Sequence, residues 1–173
     1  MKAPISEATT LLSKYYFLHT PLDPDNYLLY RDLPEKYLRG VALGESFTSF
    51  NEYIAFQETV KTFQIDVTHL GGFNEAIKVL NYFGSRTIKN NFTSHVWGSK
   101  VSLLLNLALC KACNLINWFE IPLLNFEIND HLFESKVFDP RALNDKDIDM
   151  LLSNLNIKQS KKYEFISGSG YRI

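Results

Sequence analysis

Residues 44–69 constrain the fold more than any other stretch, because they spell a strand end, a short helix and a second strand in succession. Gly44 lets the backbone turn, and Ser46, Thr48 and Ser49 follow as small donors where a ligand could meet main chain. Asn51 to Lys61 fits a short helix. Thr62 to Leu70 fits a strand, with Phe63, Ile65 and Val67 recurring at period two. Upstream lie His19-Thr20 and Leu29-Tyr30-Arg31, residue types that open many nucleotide-binding clefts.

The flanking segments extend this pattern. Residues 5–17 fit a first helix capped by Ser6, and Pro21-Leu-Asp-Pro-Asp25 fits a turn. Tyr27 to Leu33 is rich in aromatic and apolar residues and predicts a strand. After Gly71-Gly72, Phe73 to Phe83 has helical spacing, and Ser99 to Asn117 is apolar nearly all round, which predicts a buried central helix. Phe119–Ile128 and His131–Phe138 could pair as a hairpin. Asp145 to Leu155 predicts a helix capped by Asn144, and Lys161 to Ile173 a closing strand or tight hairpin. Strands at both ends with helices between predict an α+β fold: one domain over residues 1–173, a mixed sheet built from both chain ends, and a central buried helix.

Composition narrows the function classes. A 173-residue chain buries about two-thirds of its unfolded surface, so it needs neither a disulfide nor a structural metal to fold. A formal charge of −1 argues against a protein that grips phosphate backbone. The apolar run Val101–Ile116 is broken by Ser102, Asn106, Lys111 and Asn114, which argues against a membrane helix. The first ten residues lack the apolar core of a signal peptide, and two cysteines fit a reducing compartment. The expected location is the cytoplasm, or a target cytoplasm reached without a classical signal.

Several local motifs have structural readings. Cys110-Lys-Ala-Cys113 has redox spacing but sits in the last turns of an apolar helix, where core packing is the expected role. Phe83-Gly-Ser-Arg86 is not followed by the paired carboxylates that a nucleotidyltransferase needs. Gly168-Ser-Gly-Tyr-Arg-Ile173 reads as a terminal hairpin. His69 and His95 have no evident partner in the sequence.

Taken together, His19-Thr20, Tyr30-Arg31, Phe47-Thr48-Ser49 and Tyr163-Glu164 resemble the layout of mono-ADP-ribosyltransferase toxins and effectors. The resemblance implies an NAD-dependent transferase or NAD-cleaving enzyme acting on a protein target. His19 and Arg31 would contact the NAD, while Thr48 and Ser49 scaffold its cleft and Tyr53 stacks on nicotinamide. Glu164 would stabilise the cation that develops on the ribose as the glycosidic bond breaks. Glu52 and Glu58 are alternative carboxylates. The resemblance covers roughly residues 17–70 and the last dozen, so 71–157 would be a helical insertion. It implies no metal.

A second reading is a non-enzymatic immunity or inhibitor protein. Residues 120–149 carry eight acids against Lys136, Arg141 and Lys146, an acidic surface suited to a basic partner.

Overall fold

The computed structural model describes residues 18–23, 26–86, 90–122, 139 and 141–155. Helices and a sheet combine in one fold, as the sequence predicts. The described strands are β1 (Leu18–His19), β2 (Val41–Leu43), β3 (Thr62–Ile65), β4 (Asn91–Ser94) and β5 (Ile116–Phe119). Between them run α1 (Tyr27–Arg31), α2 (Glu35–Leu38), α3 (Phe50–Phe56), α4 (Phe73–Gly84) and α5 (Lys100–Ala112), and α6 (Asp145–Ser153) comes last.

All four strand pairings are parallel, and the order in the sheet is the order in the chain, β1-β2-β3-β4-β5. Parallel neighbours need a crossover between them, which the intervening helices supply. A doubly wound sheet reverses its strand order partway; an unbroken sequential order is that of a β/α barrel wall. The described sheet is therefore parallel rather than mixed, and it lies within residues 18–119. Residues 5–17, the greater part of the 119–138 hairpin and the 161–173 segment lie outside the described residues.

Side-chain contacts reveal the curvature. In a flat sheet β1 and β5 would stand about 19 Å apart, four spacings of about 4.8 Å. Yet His19 Nε2, at the end of β1, lies 3.5 Å from Glu120 Oε1, just past β5. The sheet curls so that one face becomes an interior. The opposite face carries the main core, where Val41, Leu43, Phe63, Ile65 and Phe92 pack against Tyr53 and Phe56 of α3 and Ala76, Val79, Leu80 and Phe83 of α4.

Residues 27–33 correct one expectation. Tyr27–Arg31 is a helix, not a strand. The Tyr30 hydroxyl accepts from the Leu22 amide at 3.0 Å and donates to the Leu22 carbonyl at 2.6 Å, and its ring meets Phe56 edge-on at 5.8 Å. This anchorage outweighs the β preference of the segment, which is itself strongly context-dependent.

The long apolar helix is shorter than its pattern suggests. α5 ends at Ala112, and Ile116–Phe119 turns into β5. It buries Leu104 fully, while Leu105, Ala108 and Cys113 are half-buried. Both cysteines are free thiols; burial raises Cys110 to about 11 against the lowering hydrogen bond from Ser94, and Cys113 packs against the main core.

Candidate active site

Each strand hands one ionisable or polar side chain to the same end of the sheet. His19 ends β1, and Glu45 follows β2 after Gly44. Asp66, His95 and Glu120 come directly after β3, β4 and β5. Register produces the alignment: Ile65 pairs with Ser94 and Ser94 with Phe119, so the next residues, Asp66, His95 and Glu120, stand at one level. This is the carboxyl end of a parallel sheet, where β/α barrels place their chemistry.

The cleft there has a volume of about 660 Å³. His19, Glu45, His69, His95 and Glu120 form its polar wall, and Val96, Trp97, Ile121 and Pro122 its apolar one. Trp97 is 57% exposed and offers a broad aromatic face at the rim.

His95, on the cleft wall, pairs with buried Asp66. His95 Nδ1 lies 3.1 Å from Asp66 Oδ2. The other carboxylate oxygen, Oδ1, accepts from the Thr68 amide at 2.9 Å, the Thr68 hydroxyl at 2.6 Å and Asn106 Nδ2 at 2.9 Å. Asn106 is itself fully buried in α5 and accepts from the Val67 amide at 2.9 Å. The helix thus grips the loop after β3 and leaves Asp66 one free oxygen, aimed at His95. Because an ionised carboxylate only accepts, His95 Nδ1 carries the proton and Nε2 keeps its lone pair, with Glu45 Oε2 3.7 Å away.

Electrostatics agree with this assignment. Burial pushes the Asp66 carboxyl up, but hydrogen bonds from His95, Thr68 and Asn106 outweigh it and hold the group at about 2. Burial pushes His95 down, but the Asp66 hydrogen bond and the charges of Glu120, Asp66 and Glu45 raise it above its ordinary value. Asp66 therefore stabilises the fold in its ionised form. Below the unfolded carboxylate value of about 3.9 the unfolded chain takes up the proton first, so stability is lost as pH falls from about 5 through about 2. The share from Asp66 should be about 2–3 kcal/mol. Urea midpoints across that range, compared with Asp66→Asn, measure it; equal slopes in the two proteins would remove the assignment.

A second network joins β1, β3 and β5. Gln64 is fully buried, and its Nε2 lies 2.8 Å from His19 Nδ1 and 3.2 Å from Glu120 Oε1. Glu120 can only accept, so the amide nitrogen must face it. His19 Nδ1 is then the acceptor, and Nε2–H points to Glu120 at 3.5 Å. Gln64 Oε1 is buried with no hydrogen-bond partner among the described residues, a cost of about 1–3 kcal/mol.

Of the described residues assigned to an NAD site, His19 alone lines this cleft; Ser46, singled out as a small donor, lines it too, as do His69 and His95. Arg31 lies on the exposed surface of α1, 3.6 Å from Asp32. The Thr48 and Ser49 amides and hydroxyls donate to Glu52 Oε2 at 2.8–3.2 Å, closing the N-terminus of α3. Tyr53 is fully buried, its hydroxyl donating to the Gly44 and Gln64 carbonyls at 3.2 and 2.9 Å, and burial pushes its pKa up. It has no free face for a stacked ring. Glu164 lies outside the described residues.

Glu45, Asp66, His95 and Glu120 were missed as a set. His95, partnerless in the sequence, has its partner in Asp66.

Residues 6–145 match the family model described as enolase C-terminal domain-like. Solved structures agree in fold. The 3,6-anhydro-D-galactonate cycloisomerase from Zobellia galactanivorans is 17% identical with a TM-score of 0.62, over 89% of this chain and 48% of that one. A dipeptide epimerase from Methylococcus capsulatus complexed with Mg ion is 18% identical, TM-score 0.58, over 67% of this chain and 35% of that one. An enolase from the Sargasso Sea environmental genome shotgun sequencing is 20% identical, TM-score 0.63, over 76% and 36%. The chain spans less than half the length of these proteins. None of the curated proteins is similar to it.

These matches overturn the ADP-ribosyltransferase resemblance. The family model and the structural neighbours are of the enolase type, and the epimerase carries Mg ion where the toxin reading called for NAD. The physical reason is visible too: the hydroxyl segment assigned to an NAD cleft is a helix cap, and Tyr53 is core. The family model spans residues 6–145 and so takes in most of the acidic 120–149 stretch on which the inhibitor alternative rested.

Proposed function

We propose, from the premise that this chain belongs to the enolase C-terminal domain-like family, that its cleft moves a carbon-bound proton, with His95 as the base. The observation that carries this reading is the His95–Asp66 hydrogen bond at the carboxyl end of the sheet. Racemases, epimerases, dehydratases and cycloisomerases can all begin by removing a proton from carbon, and each needs a base whose lone pair faces the substrate.

His95 meets that need. Its Nε2 opens on the cleft while the side chain is only 14% exposed, so the base is held out of bulk water yet within reach of a bound molecule. On taking the proton the ring becomes an imidazolium, which Asp66 at 3.1 Å and Glu45 at 3.7 Å stabilise. Negative charge develops on the substrate's carbonyl or carboxylate oxygen; Ser46 and His69 are donors on the cleft wall that can approach it.

The Mg ion of the epimerase raises the question of whether these residues suit one. Among the described residues no three His, Cys, Asp or Glu side chains converge to hold a metal. A magnesium ion asks for near-octahedral oxygen ligands at about 2.0–2.1 Å. Here imidazole nitrogen stands beside both cleft glutamates instead. The described set does not fit that ion.

Proton NMR in D₂O tests the proposal. Dipeptides such as L-Arg-D-Lys, sugar acids such as 3,6-anhydro-D-galactonate, and 2-hydroxy acids should be screened for loss of the C–H signal next to the carboxylate. Exchange should rise with pH through a value above about 6.5, because the raised pKa of His95 must be passed to free its lone pair. No exchange from any of these classes would overturn the reading.

A further inference from the structure

The disagreement between the donor set and a divalent cation points to a specific role for His19. We infer that His19 holds the space between Glu45 and Glu120, so that the cleft keeps its two carboxylates in place with an imidazole rather than with a metal ion. The choice of cation rests on the family reading; the geometry does not.

Two carboxylates that share one magnesium ion bring oxygens to within about 4.2 Å of each other, twice the metal–oxygen distance. The His19 ring lies between them, with Nδ1 3.9 Å from Glu45 Oε2 and Nε2 3.5 Å from Glu120 Oε1. A cation bridging the pair would have to displace the ring. The ring is not free to leave without cost, because buried Gln64 holds Nδ1 at 2.8 Å from below and reaches Glu120 with the same nitrogen. Displacing His19 would leave that amide group buried with fewer partners, beside an Oε1 that has none among the described residues. His19, Gln64 and Glu120 thus form one hydrogen-bonded strut across the interior. Glu45 stands near both imidazoles, 3.9 Å from Nδ1 of His19 and 3.7 Å from Nε2 of His95.

The test is a Mn²⁺ titration of the full chain followed by electron paramagnetic resonance, since Mn²⁺ takes the same oxygen donors as Mg²⁺ and its free ion is counted directly. Wild type should take up no Mn²⁺ in the cleft at millimolar concentration. His19→Asp removes the ring and adds a third carboxylate beside Glu45 and Glu120, and should bind at least about tenfold more tightly than wild type. His19→Ala, which only removes the ring, should fall between them and serves if the aspartate variant does not fold. Stoichiometric uptake by wild type that disappears in Glu45→Gln would overturn the inference, and so would equal affinity in all three proteins. Uptake that survives Glu45→Gln together with Glu120→Gln lies elsewhere and leaves the inference standing. Because the signal needs no turnover, failure here is distinct from failure of the exchange assay.

Discussion

His95→Asn should lower the rate of substrate C–H exchange by about 10²–10⁴-fold while leaving the protein folded. The amide can still donate to Asp66 in place of Nδ1, so the carboxylate keeps its partner, but no lone pair of suitable basicity faces the cleft. Asp66→Asn should act on the same step by another route. An asparagine side chain can donate to Nδ1, which moves the imidazole proton to Nε2 and turns the base into a donor. Removing that negative charge also removes two of the influences that raise His95, so any residual activity should show its pH midpoint at lower pH. Deuterium incorporation measured for both variants, with circular dichroism as a check on folding, decides the matter. Unchanged exchange in His95→Asn would assign the base to another residue.

The short helix and the second strand within 44–69 were legible, and so were helices 73–84 and 145–153, because each carries its own local signal; the strand read into the hydroxyl segment is a turn and helix cap, with β2 ending at Leu43. Asn144 shows why: its side chain accepts from the Asp147 amide at 3.0 Å and Asp147 answers by accepting from the Asn144 amide at 2.9 Å, a cap written in four residues. The site had no such local signal. Asp66 and His95 meet only because β3 and β4 pair in one parallel register, and a register between strands is not visible in either strand alone. His19 and Glu120 meet only because the sheet curls.

A signal was nonetheless present. Leu43-Gly-Glu45, Ile65-Asp66, Ser94-His95 and Phe119-Glu120 each place an ionisable residue just after a short run that contains aliphatic or aromatic residues. Repetition of that device along a chain whose helices alternate with strands is what a parallel barrel mouth produces. Asn106 carried a second clue. It sits one turn after Ser102 on a largely apolar helix, where the pair also argues against a membrane span. Both are buried: Asn106 reaches Asp66, and the Ser102 hydroxyl lies 3.2 Å from that of Thr68. Polar residues that recur at i and i+4 on a buried helix face need partners, and here those partners are Asp66 and Thr68, beside the candidate site.

Gly44→Ala should be the most damaging single-methyl change in the described chain. Gly44 has φ +121°, a backbone conformation that residues with a side chain rarely adopt. Space is as short as torsion: an added Cβ would fall 2.3 Å from the Gln64 carbonyl oxygen and 3.1 Å from Tyr53 Cε1. The oxygen is backbone on the neighbouring strand, so relief requires β2 and β3 to separate, and it also accepts the Tyr53 hydroxyl. Torsional strain of about 1–3 kcal/mol and overpacking of a similar size together predict a loss of about 3–5 kcal/mol, a large part of the margin of a domain this size. Gly71→Ala is the control, because Gly71 has φ +83° and nothing within 4 Å of the new carbon, leaving torsion alone. Urea midpoints of the two variants separate strain from collision, and equal losses would mean that the Gln64 carbonyl yields. The consequence for chemistry follows from position. Glu45 is the next residue, and its carboxylate stands 3.7 Å from the base and 3.9 Å from His19. Any shift that clears the Gln64 carbonyl carries Glu45 with it, so whatever Gly44→Ala protein remains folded should also lose exchange activity. The glycine before the glutamate sets how closely β2 approaches β3 and, through that, where the charge between the two imidazoles sits.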